Sequence, residues 1–316
     1  MKAPLSGSTV STVIAAYNAE RTIAQTLMSA LSQDWTDHEV VVVNDGSTDG
    51  TREILEQHRR SIRIIDQPNQ GAAIARNVGV AHSTGKYIAF LDADDLWLPG
   101  KLTATVPILE RNPAASLVFS EYFNVSEEGV EYGGSSLGGA PSLEEMMVWL
   151  PPILTSTWVV PRELLQRSGG YCRAFAGGQG FEDAWLLLRL RELGEFLYVP
   201  ERLTRYRIAD GSESADKYGH ALSTFVSLVK SHYGARGKML VRNAKNLQCR
   251  WTLTKIARQM NRGDRSGALL SGVQILRIRP AYFFGPEFVG RLFLPQNRRR
   301  VRQLIAFGAA SAEQHS

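Results

Sequence analysis

Cysteine is scarce: the 316-residue chain holds two, Cys172 and Cys249, far apart and in no CxxC pair. That excludes a disulfide scaffold and a cysteine-rich zinc site, and it fits a reduced setting. The histidines, His38, His58, His82, His220, His232 and His315, have no metal-ligand spacing among themselves. No run of about 18 apolar residues occurs, so no spanning helix is expected. Residues 1–9 lack a charged segment followed by an apolar one, so no secretory signal is expected. Acids are nearly missing from residues 234–305, where sixteen Lys/Arg face two Asp/Glu, a local balance of +14 in a chain of net charge +5. The remainder therefore carries −9. Such a split predicts an acidic partner surface for a basic tail.

What is present is ordinary for a globular protein: 44% hydrophobic and 21% charged residues. The length suits one large domain, or one domain with an appendage, and can bury a sizeable core. Residues 11–16 read as a buried strand, and 39–43, with Val40 to Val43 in a row, as a second. Shorter strands follow at 62–66 and 87–91. Helical patterns lie between them, at about 18–33, 49–59 and 71–81, and Pro99 is placed to start another. This alternation predicts an α/β fold with a mostly parallel sheet and helices on both faces. Ligands on such sheets bind beyond the carboxyl ends of the strands, where Tyr17, Asp45 and Asp92 all fall. Past residue 111 the pattern changes. Strands are expected at 116–125, 154–160 and 196–207, with a hairpin turn at Glu127-Glu128-Gly129. A mobile glycine-rich loop is expected at 133–141, a leucine-rich helix at 181–193 and a polar loop at 209–216. From 218 the chain reads as helical, with 238–260 and 265–276 forming a hairpin about Gly263-Asp264.

The strongest chemical signal is Ile88-Ala89-Phe90-Leu91-Asp92-Ala93-Asp94-Asp95, an apolar strand ending in three carboxylates. Carboxylates this close repel unless a cation or hydrogen bonds compensate. Mg²⁺ or Mn²⁺ prefers such oxygen ligands and needs few from protein when phosphates supply the rest. In an extended segment Asp92 and Asp94 would share one side; the competing reading is a cap on a helix from Leu96. Three weaker signals accompany it. Asp45, in Asn44-Asp45-Gly46-Ser47-Thr48-Asp49, is either a base acceptor or part of a turn. Arg76, in the small-residue run Gly71 to Asn77, suits phosphate or base oxygens or lies solvated. Glu182 and Asp183 open the leucine-rich helix as dipole-favoured acids or as a general base. Trp149 and Trp158 are candidates to border an acceptor sugar.

Together these pieces, with Val13-Ile14-Ala15-Ala16-Tyr17-Asn18 and Gly85-Lys86-Tyr87, resemble the inverting family 2 glycosyltransferases of GT-A fold over residues 8–210. The resemblance implies a Rossmann-like nucleotide-sugar-binding half at 1–111, an acceptor and catalytic-base half at 112–217, and a basic helical extension at 218–316. It implies a UDP-sugar donor, a carbohydrate or glycolipid acceptor, and Mg²⁺ or Mn²⁺. The implied donor set is Ala16, Tyr17, Glu20, Asp45, Gly71, Arg76, Asp92, Ala93 and Arg207. Within it Tyr17 and Asp45 meet the base, Arg76 meets base or phosphate, and Asp92 meets ribose or metal. Asp94 holds the metal, and Asp183 is the base with Glu182 beside it. One departure is Ala209, where family members often carry histidine after Tyr-Arg; either Arg207 or Arg205 then takes over donor closure, or the donor differs.

Two rivals are weaker. A sugar nucleotidyltransferase would want a glycine-rich basic loop near the N-terminus, and residues 14–20 hold none. A nucleic-acid-binding or carbohydrate-binding non-enzyme fits the tail charge but not the acidic crevice, so no nucleic acid is expected. The aromatic-rich stretch 281–294 followed by Arg298-Arg299-Arg300 suits docking on anionic lipid. The expected location is cytoplasmic, peripheral on a membrane through that tail.

Overall fold

In a computed structural model, residues 9–126, 129–148, 150–176, 180–208, 218–261 and 264–278 are described. Trp149, Glu127 and Glu128 of the expected turn, the 209–216 loop and the 281–300 stretch lie outside them. The chain divides into two compact units, residues 1–228 and 229–316. The expected division at 111–112 falls inside the first unit, between two elements of one layered structure.

The first unit opens with strict alternation: β1 (Val10–Ala16), α1 (Ile23–Leu31), β2 (His38–Asp45), α2 (Thr51–Gln57), β3 (Arg63–Gln67), α3 (Ala72–Ala81) and β4 (Tyr87–Asp92). A two-residue β5 (Leu96–Trp97) and α4 (Lys101–Arg111) follow, then β6 (Ala115–Val125), β7 (Glu131–Gly134) and α5 (Leu143–Val148). A 3₁₀ turn (Thr155–Thr157) leads into β8 (Trp158–Pro161) and α6 (Arg162–Arg167); α7 (Glu182–Leu193) and β9 (Glu195–Arg207) complete the sheet region. The strand order is β3-β2-β1-β4-β8-β6-β9-β5, with β7 on β6. Pairing is parallel from β3 to β4 and again between β6 and β9, and antiparallel where β8 enters.

The four valines of β2 are all buried, as a strand covered on both faces requires. Small residues set the helix-to-sheet distance: a Cβ on Gly79 of α3 would lie 2.4 Å from Val13 Cγ1 of β1. Register aligns the strand ends, with Ala16 opposite Asn44, Ala15 opposite Asp92, and Asp45 opposite Gln67. One crevice edge therefore collects the residues that follow β1, β2 and β4.

Three expectations are corrected. Helix α1 starts at Ile23, five residues later than read, because residues 18–20 are bonded to the next loop instead of to each other. Helix α4 starts at Lys101, not at Pro99, with Gly100 at its cap in the left-handed region (φ 85°). The 133–141 loop is tied down: Leu137 N–H donates to Glu121 Oε1 at 2.6 Å and Arg191 Nε donates to the Pro141 carbonyl at 3.0 Å.

The remaining described chain is helical: α8 (Tyr218–Tyr233), α9 (Lys238–Asn261) and α10 (Arg265–Ile278). The α9–α10 hairpin forms as read, with Asp264 Oδ1 capping α10 through the Gly267 N–H at 2.9 Å. Among the described residues no helix is long and apolar enough to cross a membrane.

Candidate active site

The loops after β1 and β2 are stapled together. Asn18, held at φ 49°, donates its N–H to Ser47 Oγ (3.1 Å) and accepts the Thr48 N–H on Oδ1 (2.8 Å). The Ala19 N–H reaches Thr51 Oγ1 (2.8 Å), and Glu20 accepts the Gly50 N–H (2.8 Å) while its own N–H meets Asp49 (3.1 Å). Glu20 is thus a loop fastener, and Tyr17, 47% exposed, stands free at the crevice edge. The Ala16 side chain is fully buried, which leaves only its main chain to offer a ligand.

Asp45 is buried at the end of β2. It accepts Gln67 Nε2 (2.6 Å) and the N–H groups of Gln70 (2.9 Å) and Gly71 (2.8 Å). It therefore shapes the turn that launches α3, where Gly71 takes φ 89°. Of its two oxygens, Oδ1 takes two of these donors and Oδ2 one.

The acidic triplet is a turn, not an extended segment: the Asp95 N–H closes onto the Asp92 carbonyl at 3.1 Å. The alternation read from sequence does not apply, and neither does the helix-cap reading, since β5 follows directly. The three acids separate into distinct roles. Asp95 is fully buried and accepts Ser156 Oγ (2.5 Å) and the Arg207 N–H (3.0 Å). Burial, then the charges of Asp94 and Asp92, push its pKa well above the usual carboxylate range. Asp94 is exposed, and no side chain donates a hydrogen bond to its carboxylate among the described residues. Loss of water around the carboxylate, then the charge of Asp92, pushes Asp94 up to about 6. Asp92 accepts Arg76 Nη2 on Oδ1 at 2.6 Å.

Thr22, just before α1, and Thr26 on it hold this turn. Both hydroxyls lie 2.9 Å from the Ala93 carbonyl, and that of Thr26 lies 2.9 Å from the Asp95 carbonyl. Arg207 closes it from above, its Nε on the Asp94 carbonyl (2.9 Å) and Nη2 on Gln25 Oε1 (3.0 Å).

Arg76 is buried and sits between the two halves. Besides Asp92 it reaches Asp183 Oδ1 at 3.5 Å, and its guanidinium lies 5.1 Å from the centre of the Tyr171 ring. Burial opposes its charge, but Asp92 and Asp183 outweigh that and raise its pKa. The resemblance gives this side chain to base or phosphate; in the structure it faces the two acids. Asn77, one residue on, clamps the Tyr171 backbone from both sides, at 2.7 and 3.0 Å.

Asp183 is about a third exposed on its side chain, whereas Glu182 is 6% exposed. Loss of water raises the Asp183 pKa; Arg76 opposes the rise and Asp92 adds to it. Burial, then Asp183, pushes Glu182 up to about 7. Arg76 Nη1, Asp183 Oδ1, Glu182 Oε2, Thr155 Oγ1 and Tyr171 Oη are all buried, and hydrogen bonding from Thr155 and Tyr171 partly offsets the rise at Asp183. Among the described residues no set of three or more His, Cys, Asp or Glu is arranged to hold a metal.

Sequence reasoning missed Asn18, Thr26, Ser156 and Tyr171. The inward-facing pair Thr22 and Thr26, four apart on an apolar helix face, was a usable signal; Tyr171 carried none. Trp158 is corrected: it is fully buried against Phe90, 5.8 Å between ring centres, and borders no acceptor.

The chain is similar to known proteins. The β-1,3-glucosyltransferase WfaP of Escherichia coli, named as acting from UDP-Glc on α-D-GlcNAc-diphosphoundecaprenol, is 40% identical over 117 residues, 36% of this chain and 45% of that protein. The putative teichuronic acid biosynthesis glycosyltransferase TuaG of Bacillus subtilis is 38% identical over 125 residues, 38% of this chain and 49% of its own. The chain spans less than half the length of these curated relatives. Staphylococcus aureus TarS residues 1–349, solved with UDP-GlcNAc, shares the fold at a TM-score of 0.59 and 17% identity, covering 87% of this chain and 80% of that one. The model of glycosyl transferase family 2 matches residues 11–158, and over that region the chain is similar to glycosyl transferase family 2.

Proposed function

We propose that the chain transfers a sugar from a nucleoside diphosphate sugar, a UDP-sugar first of all, to an acceptor hydroxyl with inversion, in the synthesis of a cell-surface polysaccharide or glycoconjugate. The observation that carries this is the pairing of Asp92 and Asp183 across Arg76, which sets a donor-side acid and a half-exposed acid in one crevice. The names of the relatives, WfaP with its UDP-Glc donor above all, support the donor and acceptor classes.

In this mechanism Tyr17 and Asp45 receive the base, and Arg207 lies over the diphosphate. The acceptor oxygen attacks the anomeric carbon from the face opposite the diphosphate. As the new C–O bond forms, the bond to the diphosphate breaks, and the acceptor proton passes to the Asp183 carboxylate. About a third of that side chain is exposed, and its raised pKa suits it to take a proton. Glu182 is more deeply enclosed and supports its neighbour.

The donor set fits Mg²⁺ or Mn²⁺: Asp94 offers a carboxylate that no side chain occupies, and Asp92 keeps Oδ2. A cation held by Asp94 and Asp92 supplies positive charge against the leaving diphosphate. The basic stretch 234–305 adds, in this reading, an electrostatic hold on an anionic membrane surface.

The test is thermal denaturation and calorimetry with UDP, UDP-glucose and UDP-N-acetylglucosamine, each with and without Mn²⁺. A ligand that binds the folded state raises its stability by mass action. Asp94→Ala is expected to abolish the Mn²⁺-dependent part of binding while the fold survives. Unchanged metal-dependent affinity in that variant removes Asp94 from the metal site, and no shift with any nucleotide removes the donor assignment.

A further inference from the structure

Lys101 opens α4, and its side chain is fully buried. Lysine is seldom enclosed without a partner charge, because removing an ammonium from water costs several kcal/mol. Among the described residues no carboxylate pairs with it. Its Nζ donates to Ser120 Oγ on β6 at 2.9 Å and to the Thr157 carbonyl. Burial alone pushes its pKa down to about 7. Methionine would fill the same space without that cost, so packing does not account for a lysine. What the lysine adds is a donor aimed at the last carbonyl of the 155–157 turn.

That turn is the hub of the crevice. Ser156 gives its hydroxyl to Asp95 Oδ2 (2.5 Å) and receives the Asp92 N–H on it (3.0 Å). The Ser156 carbonyl takes Trp97 Nε1 (2.8 Å) and Thr204 Oγ1 (3.2 Å), which ties in β5 and β9. Thr155, at the other end of the turn, lies beside Asp183 and Tyr171. Three consecutive residues thus touch the acidic turn on one side and the half-exposed acid on the other. A displaced Thr157 carbonyl would move both.

We propose that Lys101 is a positioning residue for sugar transfer: through the Thr157 carbonyl it fixes the 155–157 turn, and so the spacing between Asp92 and Asp183. The inference rests on the reading of those two acids as the donor-side acid and the base. It adds a buried residue that touches neither substrate.

The experiment compares wild type with Lys101→Met, Ser156→Ala and the double variant. Readouts are the melting temperature, UDP affinity with Mn²⁺ by calorimetry, and UDP release from UDP-glucose and UDP-N-acetylglucosamine. Lys101→Met should melt at the same or a higher temperature, since an apolar replacement of a buried charge is often neutral or stabilising. UDP affinity should stay within about twofold and kcat should fall about tenfold or more, the pattern of lost positioning. Ser156→Ala should show a similar kcat loss, and the double variant should be no worse than the poorer single one, because both act through one turn. A folded Lys101→Met with wild-type kcat overturns the proposal, as do fully multiplicative losses. If Lys101→Met does not fold, Lys101→Gln, whose amide ends one bond short of where Nζ meets the Thr157 carbonyl, decides: a lowered kcat at unchanged KM supports the proposal and wild-type kcat overturns it. Wild type that binds UDP but releases none from either sugar would overturn the assignment of the acids and this inference with it. An active wild type with an equally active Lys101→Met overturns this inference alone.

Discussion

Replacing Arg76 with methionine separates two roles that the residue could play. The structure commits its guanidinium to Asp92 at 2.6 Å and Asp183 at 3.5 Å, deep in the crevice. Arg76 holds the Asp183 pKa down against loss of water, so its removal lets that pKa rise. Asp183 works as a base only when deprotonated. Activity therefore falls on the acid side of its pKa, and in the variant that fall begins at a higher pH. For unit charges 3.5 Å apart at an effective dielectric of about 20, Coulomb's law gives about 5 kcal/mol. About a third of the Asp183 side chain faces water, which screens the interaction severalfold and leaves about 1–2 kcal/mol. That is at most roughly a tenfold loss of kcat on the acid side of the wild-type pKa, disappearing once the pH is above the variant's pKa. The assay is single-turnover UDP release across pH 5.5–8.5, with UDP affinity measured separately; affinity should stay within about threefold. A collapse in UDP affinity with an unmoved pH profile would refute the reasoning and return Arg76 to donor binding.

Two further outcomes follow from charges outside the crevice. His38, bonded to Thr12 Oγ1 at 2.7 Å, has its pKa lowered by burial to about 4, with Glu39 partly opposing. Between pH 6.5 and 4 the unfolded chain binds a proton that the folded chain refuses, so stability falls as pH drops through that window, by at most about 3 kcal/mol. His38→Gln should flatten this fall in urea titrations at pH 4.5 and 7, and an unchanged slope would exclude His38 as the cause. The basic stretch 234–305 should make the chain sediment with anionic vesicles in low salt and not with neutral ones. Equal sedimentation with both would contradict a membrane role for it.

The donor half was legible because buried parallel strands announce themselves. The four valines of β2 and the apolar run of β4 located two strand ends, and parallel register then brought Asp45 and Asp92 to one edge. Local geometry at those ends was less readable. Asp92-Ala93-Asp94 has the same letters whether extended or turned, and the turn is enforced by Thr26 and Ser156, which lie 66 and 64 residues from Asp92 in sequence. Arg76 was visible as a cation in a small-residue helix, but its partners come from β4 and α7, so its commitment to two acids was not. The clamp between Asn77 and Tyr171 spans 94 residues and has no local pattern. Trp158 looked like a sugar platform because composition cannot tell a buried indole from an exposed one.

The central claim is that Asp183 removes the acceptor proton in a sugar transfer, and Asp183→Asn tests it most directly. The carboxamide is nearly the same shape, so α7 should still start at Glu182 and UDP affinity should be kept. It takes no proton at neutral pH, so single-turnover transfer should fall about a hundredfold or more. Glu182→Gln, changed at the more enclosed neighbour, should retain most of its rate. Asp183→Asn turning over like wild type, with donor affinity intact, would contradict the account; loss in Glu182→Gln instead would hand the base to Glu182.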